Sequence, residues 1–443
     1  MEAMTDTDRL ETFERLESEV RGYVRTFPAV FDRARGSRLY DEEGRGYLDF
    51  FAGAGVLNYG HNPPELKKSL LEYLERDGVT HTLDMASTAK RRFLERFREV
   101  ILAPRGLGYK LQFPGPTGTN AVEAALKLAR KVTGRTNVVA FTDGFHGMTL
   151  GSLAATGNAG KRAGAGVPLG NVTRMPFDGY LGDGTDTLDV LRAYLEDSSS
   201  GMDAPAAAIV ETVQAEGGVN VARAGWLRGL AELLAEHGVL LIVDDIQVGC
   251  GRTGPFFSFE EAGIRPDVVC LSKSLSGYGL PFAVVLLKPE LDVWEPGEHN
   301  GTFRGHNPAF VTGAAALSFW EDGELSEAVA RKGEHAADWL RAIAARHPEA
   351  GATVRGRGLI LGLAFEDPEV APAVSAECFR RGLVIETSGP RGEVVKLLPP
   401  LTIGDEELDE GLGILEASVA AVLHGEAPDV EAQREEVLAG ELA

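Results

Sequence analysis

Lys273 stands in the run LSKSLSGYGLP, just beyond an apolar stretch and just before Gly277 and Gly279. Alone, a lysine in such a place could simply face solvent. Upstream, VLLIVDD ends in Asp244 and Asp245. A carboxylate at the C-terminal end of a buried strand sits where open α/β sheets bind ligands. Burial there raises its pKa unless a cation or a protonated ring nitrogen stands opposite. Nucleotide-binding proteins carry acidic strand ends as well, so this feature alone decides nothing. The third element is PGPTGTNAVEAALKLARK, in which Gly115, Thr117, Gly118 and Thr119 form a small turn running into a helix. Asn120 and Glu123 are spaced like a capping box. Free N–H groups, the helix dipole and threonine hydroxyls together suit a phosphate, although an ordinary capped helix could begin the same way.

Combined, a phosphate cradle, a buried carboxylate and a reactive lysine are the parts needed to hold pyridoxal 5′-phosphate (PLP). The lysine condenses with the aldehyde, the carboxylate keeps the pyridine nitrogen protonated, and the helix terminus takes the phosphate. The protonated ring then accepts the electron pair left when a substrate Cα proton departs, and the freed lysine amine can shuttle that proton.

These groups need elements to position them. The apolar runs VVAF (138–141), AAIV (207–210), VLLIVDD (239–245), DVVCLS (267–272) and AVVLL (283–287) alternate with helical patterns at 120–133 and 224–237. Strands that are apolar throughout are buried on both faces, as in parallel sheets covered by helices. Residues 7–30 have apolar positions at helical spacing and predict an amphipathic helix. RLYDEEGRGYLDFF predicts two short strands about a turn at Glu42–Gly44. Beyond a helix near 312–321 the chain changes character. A helix over 325–347, strands in GLILGLAF and VVKLLPPL, and a helix over 405–423 predict a smaller α+β unit. The acidic stretch after it predicts a surface segment. The expected division is an N-terminal segment over 1–70 joined to the small domain, a large domain over 71–315, and a C-terminal small domain over 316–443.

The 443 residues, 44% hydrophobic and 25% charged, are those of a globular chain and exclude a disordered or fibrous one. No apolar run reaches the roughly 18 residues of a membrane helix, and the polar, acidic N-terminus is unlike a signal peptide. A net charge of −22 argues against nucleic acid or an anionic membrane as partner. The three cysteines are scattered and fit a reducing, cytoplasmic setting. The histidines have no zinc-binding spacing, so no metal is expected. GCGRTG (249–254) satisfies G-x-G-x-x-G, but no helix pattern opens after it, which argues against a dinucleotide site.

GSRLYDEEGRGYLDFF, VETVQAEGG, LLIVDDIQVGCGRTG, LSKSLSGYGLP, GTFRGHNP and KLLPPLTI resemble, in order and spacing, the motifs of the class III (ω-amino acid) aminotransferases, from about Arg35 to Leu423. The resemblance implies PLP fold type I: a large domain with a mostly parallel seven-stranded sheet covered by helices, and a small α+β domain. It implies that Lys273 is the Schiff-base lysine, that Asp244 partners the pyridine nitrogen, and that Gln247 bonds the ring hydroxyl. Gly118 and Thr119 match the phosphate loop, and Phe145 matches the aromatic that stacks on the ring. His146 matches either a ring neighbour or a structural histidine. Thr302 matches a threonine reaching the phosphate of the neighbouring subunit, which makes a homodimer with shared sites the minimum, with a tetramer open. Glu211 and Glu216 match glutamates near cofactor and substrate.

Lys396 is a departure. Many relatives carry an arginine there to grip the α-carboxylate of glutamate, with a glutamate matching Glu216 pairing to it in the other half-reaction. A lysine cannot make the bidentate fork. The expectation is that Glu216 and Lys396 still form a switching pair. FFAGAGVLNYGHN, THTLDMA and DGFHGMTLGSLAATGN resemble more narrowly the branch that passes the amino group of L-glutamate to aspartate β-semialdehyde, giving L-2,4-diaminobutyrate and 2-oxoglutarate, the first step towards ectoine. The alternatives are another ω-amine, such as 4-aminobutyrate, ornithine or acetylornithine, or a PLP decarboxylase or aminomutase.

Overall fold

The computed structural model describes residues 6–182 and 184–425. The acidic stretch expected on the surface after the last helix lies outside them. A seven-stranded sheet forms the centre, in the order Lys110–Gln112, Val284–Leu287, Val268–Leu271, Leu240–Asp244, Ala207–Val210, Val138–Phe141, Val172–Met175. Val284–Leu287 runs antiparallel to both neighbours, and the remaining pairs are parallel. The five apolar runs supply the five inner strands, each buried almost throughout. Both edge strands, KLQ and VTRM, are short and largely polar, which is why no apolar run marked them.

Helices cover the sheet. Gly118–Thr133 buries Ala121, Val122, Ala124, Ala125 and Leu128 against one face, while Ala224–Glu236 buries Trp226, Leu227, Leu230 and Leu234. Small residues along the first of these let it sit close to the strands.

A second, antiparallel sheet is ordered Thr353–Arg357, Ile360–Ala364, Val394–Leu397, Glu386–Ser388. Helices Glu324–Arg346, Val370–Arg380 and Asp405–His424 pack with it. The hairpin about Glu42–Gly44 forms as expected from Arg38–Asp41 and Gly46–Asp49, and Leu383–Val384 joins it in parallel. Leu48 and Phe50 thereby enter one core with Leu340, Leu363, Leu397 and Leu412.

The helix expected over residues 7–30 is instead two, Asp6–Leu16 and Tyr23–Thr26. Gly22 stands before the second, and Phe27, preceding Pro28, is kept out of the helical region at ψ 77° and ends it. Among the described residues no helix is long and apolar enough to cross a membrane.

Candidate active site

The candidate residues gather at the C-terminal ends of the central strands. Asp244 is the last residue of its strand and lies in register with Cys270 on the neighbouring parallel strand, just ahead of Lys273. Lys273 opens the turn Lys273–Ser276 at φ +48°. That left-handed conformation costs a residue with a Cβ roughly 1–2 kcal/mol, and such strain concentrates at functional sites. Burial lowers the Lys273 amine below the usual lysine value, against the pull of Glu216 and with the help of Lys396. A lysine so depressed is closer to a nucleophilic free amine.

Asp244 is buried and takes a hydrogen bond from His146, whose Nδ1 lies 2.8 Å from Oδ2. Burial pulls the His146 pKa down, but Asp244, and more weakly Glu211, raise it overall. The backbone of the same loop is held from another side: the Phe145 N–H donates to Glu211 Oε1 at 2.8 Å. Burial, with the nearby Asp244, pushes Glu211 up to about 8 despite His146. One face of the Phe145 ring is covered by the Lys161 ammonium, 5.1 Å from its centroid.

At the start of helix Gly118–Thr133 the Thr117 N–H and hydroxyl both bond Asn120 Oδ1, at 3.2 and 2.8 Å. The first N–H groups of the helix, those of Gly118 and Thr119, have no carbonyl behind them in the helix. Thr119 Oγ1 shares hydrogen bonds with Ser152 at 2.6 Å and Thr149 at 2.7 Å. Facing them, Gly147 (φ +126°) is as close as a residue can come: a Cβ there would lie 2.6 Å from Thr119 Oγ1.

Gln247 is buried, and its amide donates to the Ala54 carbonyl at 2.8 Å, leaving Oε1 with no partner. A buried acceptor without a donor is costly, and the ring hydroxyl of PLP is a donor of the right kind. The anion-ready helix end and the acidic strand end complete a set that fits the cofactor.

Lys396 is fully buried, with Nζ 2.7 Å from Glu216 Oε1 and 3.1 Å from Glu386 Oε1. Burial opposes the Glu216 charge, yet Lys396 and then Lys273 hold that carboxyl down at about 2. Glu386 is the residue that motif reasoning missed. It faces Lys396 directly across the antiparallel pair and accepts the Tyr23 hydroxyl at 3.1 Å. Its only signal was an acidic residue in the apolar run VIET, beside a strand that also had to bury a lysine.

Thr302 stays apart from this cluster. It is exposed, at the start of the turn Thr302–Gly305, and its carbonyl accepts from His81 at 2.6 Å. Elsewhere, His347, Glu349 and His424 come together, with His347 Nδ1 3.0 Å from His424 Nε2, in a grouping that sequence spacing did not suggest.

A mostly parallel α/β sheet with a lysine and a carboxylate at adjacent strand ends and a phosphate-ready helix defines a PLP-dependent fold type I enzyme. The chain belongs to the class-III aminotransferase family, whose model matches residues 20–419. It is 62% identical to the diaminobutyrate–2-oxoglutarate transaminase of Nocardia farcinica, over 95% of this chain and 96% of that one. To the enzyme of the same name from Streptomyces anulatus it is 66% identical, over 92% and 96%. Among solved structures it resembles the ornithine aminotransferase of Toxoplasma gondii, with a TM-score of 0.84 and 28% identity over 96% of this chain and 97% of that one.

Proposed function

We propose that this chain is a PLP-dependent transaminase that moves the amino group of L-glutamate to aspartate β-semialdehyde, forming L-2,4-diaminobutyrate and 2-oxoglutarate. The observation that carries the reading is the register of the two central strands, which sets Asp244 beside the segment leading into Lys273. Identities of 62% and 66% to relatives named for diaminobutyrate, against 28% to an ornithine aminotransferase, favour the diaminobutyrate reaction.

When bound, PLP supplies an electron sink for the pair left on the substrate carbon that loses its proton. Lys273 Nζ anchors the cofactor and then carries the proton, a task eased by its depressed pKa. Asp244 holds the charge of the ring nitrogen, and His146 fixes the Asp244 carboxylate in place. Gly118 and Thr119 receive the phosphate through N–H groups and a hydroxyl. Gln247 Oε1 takes the ring hydroxyl, Phe145 lies along the ring face, and Glu211 braces the Phe145 backbone. Glu216 and Lys396 act at the far end of the substrate, paired in one half-reaction and parted in the other. Thr302 reaches the phosphate of a second subunit, so the working unit is a homodimer at least, acting in the cytoplasm.

The test is spectroscopic. Protein reconstituted with PLP should bind it with a visible absorbance that L-glutamate bleaches and aspartate β-semialdehyde restores, with 2-oxoglutarate as product. Release of CO₂ instead would point to a decarboxylase. Full activity in Lys273→Ala would overturn the reading.

A further inference from the structure

Around Lys396 one buried ammonium serves two carboxylates, the buried Glu386 and the partly buried Glu216, and the Lys273 amine acts on both from further off. The geometry shows which of the two takes the ammonium's hydrogen bond. Lys396 Nζ makes its hydrogen bond to Glu216, at 2.7 Å. Glu386 Oε1 is ion-paired with the same nitrogen at 3.1 Å but takes no hydrogen bond. Its other oxygen is already satisfied by Tyr23, a half-exposed side chain. Glu386 therefore presents one carboxylate oxygen that takes no hydrogen bond, while being 4% exposed, with burial raising its pKa, and it lies close enough to Lys273 that each senses the other's charge. A buried carboxylate oxygen without a hydrogen bond is costly and calls for a donor.

We propose that Glu386 receives the α-ammonium group of the ω-amino substrate, with Tyr23 as a positioning residue, and that this contact selects substrates bearing an α-amine. The inference rests on the proposed diaminobutyrate reaction and names what that site recognises. 2,4-Diaminobutyrate and 4-aminobutyrate have the same carbon chain, the same reacting amine and the same carboxylate. They differ only in the α-amine. Sites built to bond a substrate N–H reject the analogue lacking it far more strongly than apolar pockets reject a missing methylene. While Lys396 gives its hydrogen bond to Glu216, Oε1 of Glu386 is left to accept one from the α-ammonium.

The experiment compares kcat/KM for 2,4-diaminobutyrate and 4-aminobutyrate, each with 2-oxoglutarate as acceptor, in wild type, Glu386→Gln and Tyr23→Phe. Wild type should prefer the diamino acid by at least about 100-fold. Glu386→Gln, which keeps the shape and removes the charge, should shrink that ratio by at least about 30-fold, mostly through KM. Tyr23→Phe, at a half-exposed position that tolerates the change, should shrink it by about 3-fold to 10-fold. Because the ratio is read within one protein, a general loss of activity does not move it. A ratio equal to that of wild type in both variants would overturn the proposal, as would a wild-type ratio near one. A wild type that transaminates neither compound, nor L-glutamate, would instead overturn the proposed function.

Discussion

Nδ1 of His146 lies 2.8 Å from Oδ2 of Asp244, with both side chains buried. The carboxylate at the strand end is therefore held by an imidazole at Oδ2, while Oδ1 takes only the long 3.3 Å bond from the Ile246 N–H and keeps a lone pair for a ligand. His146→Leu removes that donor and should destabilise the cofactor-free protein by about 1–3 kcal/mol, measured by urea unfolding. It should also weaken PLP binding in a fluorescence titration. The raised pKa of His146 sets the sign with pH. Its contribution is complete below the ordinary value of 6.5 and fades as pH climbs through the higher folded value. Replacement by leucine should remove that decline. Equal PLP affinity in the two proteins would refute the role.

Much of this site was legible in the sequence because its parts are local. A lysine after an apolar run, a carboxylate at a strand end and hydroxyls before a helix each announce themselves within one segment. The inner strands were visible for the same reason, since burial on both faces forces apolar runs. Glu386 was not, because its meaning depends on facing Lys396 across two strands. GCGRTG shows the converse. Its Arg252 is buried and bonds the carbonyls of Leu359 and Pro399 and the side chain of Asn58, so the segment ties distant parts of the chain together, a role no local pattern reveals. The break at Gly22 was missed because the apolar spacing continues across it.

Lys396 sets up a second prediction. Lys396→Ala would leave Glu216 and Glu386 without their ion-pair partner and with only the depressed Lys273 amine near them, a loss on the order of 3 kcal/mol by urea unfolding at pH 8. Glu216 is held down at about 2, so its part of the pairing is present above 4.5 and is lost as pH falls through that lower value. The difference between variant and wild type should therefore narrow in acid. The reaction with L-glutamate should slow by at least about 10-fold in kcat/KM, because the cation meeting its carboxylate is gone. Unaltered glutamate kinetics would remove Lys396 from the substrate site.

Glu211 titrates in the opposite sense to an ion-paired acid. Its pKa is raised from 4.5 to about 8, so between those values the unfolded chain ionises while the folded chain does not. The result is a fall in stability with rising pH, of at most about 1.4 kcal/mol per unit. Glu211→Gln keeps an acceptor for the Phe145 N–H and has no proton to lose. The cofactor-free variant should match wild type near pH 5 and exceed it near pH 8 by thermal unfolding. A variant less stable at both pH values would mean that Glu211 is charged in the folded protein.

Shared active sites can be tested by mixing inactive subunits. Lys273→Ala lacks the anchoring amine, and Thr302→Val lacks the hydroxyl proposed to reach across. Thr302 is exposed and apart from the Lys273 cluster of its own chain, so valine there should leave the fold intact. Each variant alone should be weak, the first without measurable turnover and the second through poor PLP retention at low cofactor concentration. In a mixed dimer one site draws both altered residues, while the other draws Lys273 from one chain and Thr302 from its partner, both intact. Co-expressed, differently tagged subunits purified through both tags should therefore regain close to half the wild-type activity per dimer at limiting PLP. If Thr302 served its own chain, every site in the mixed dimer would carry one defect and no recovery would be seen.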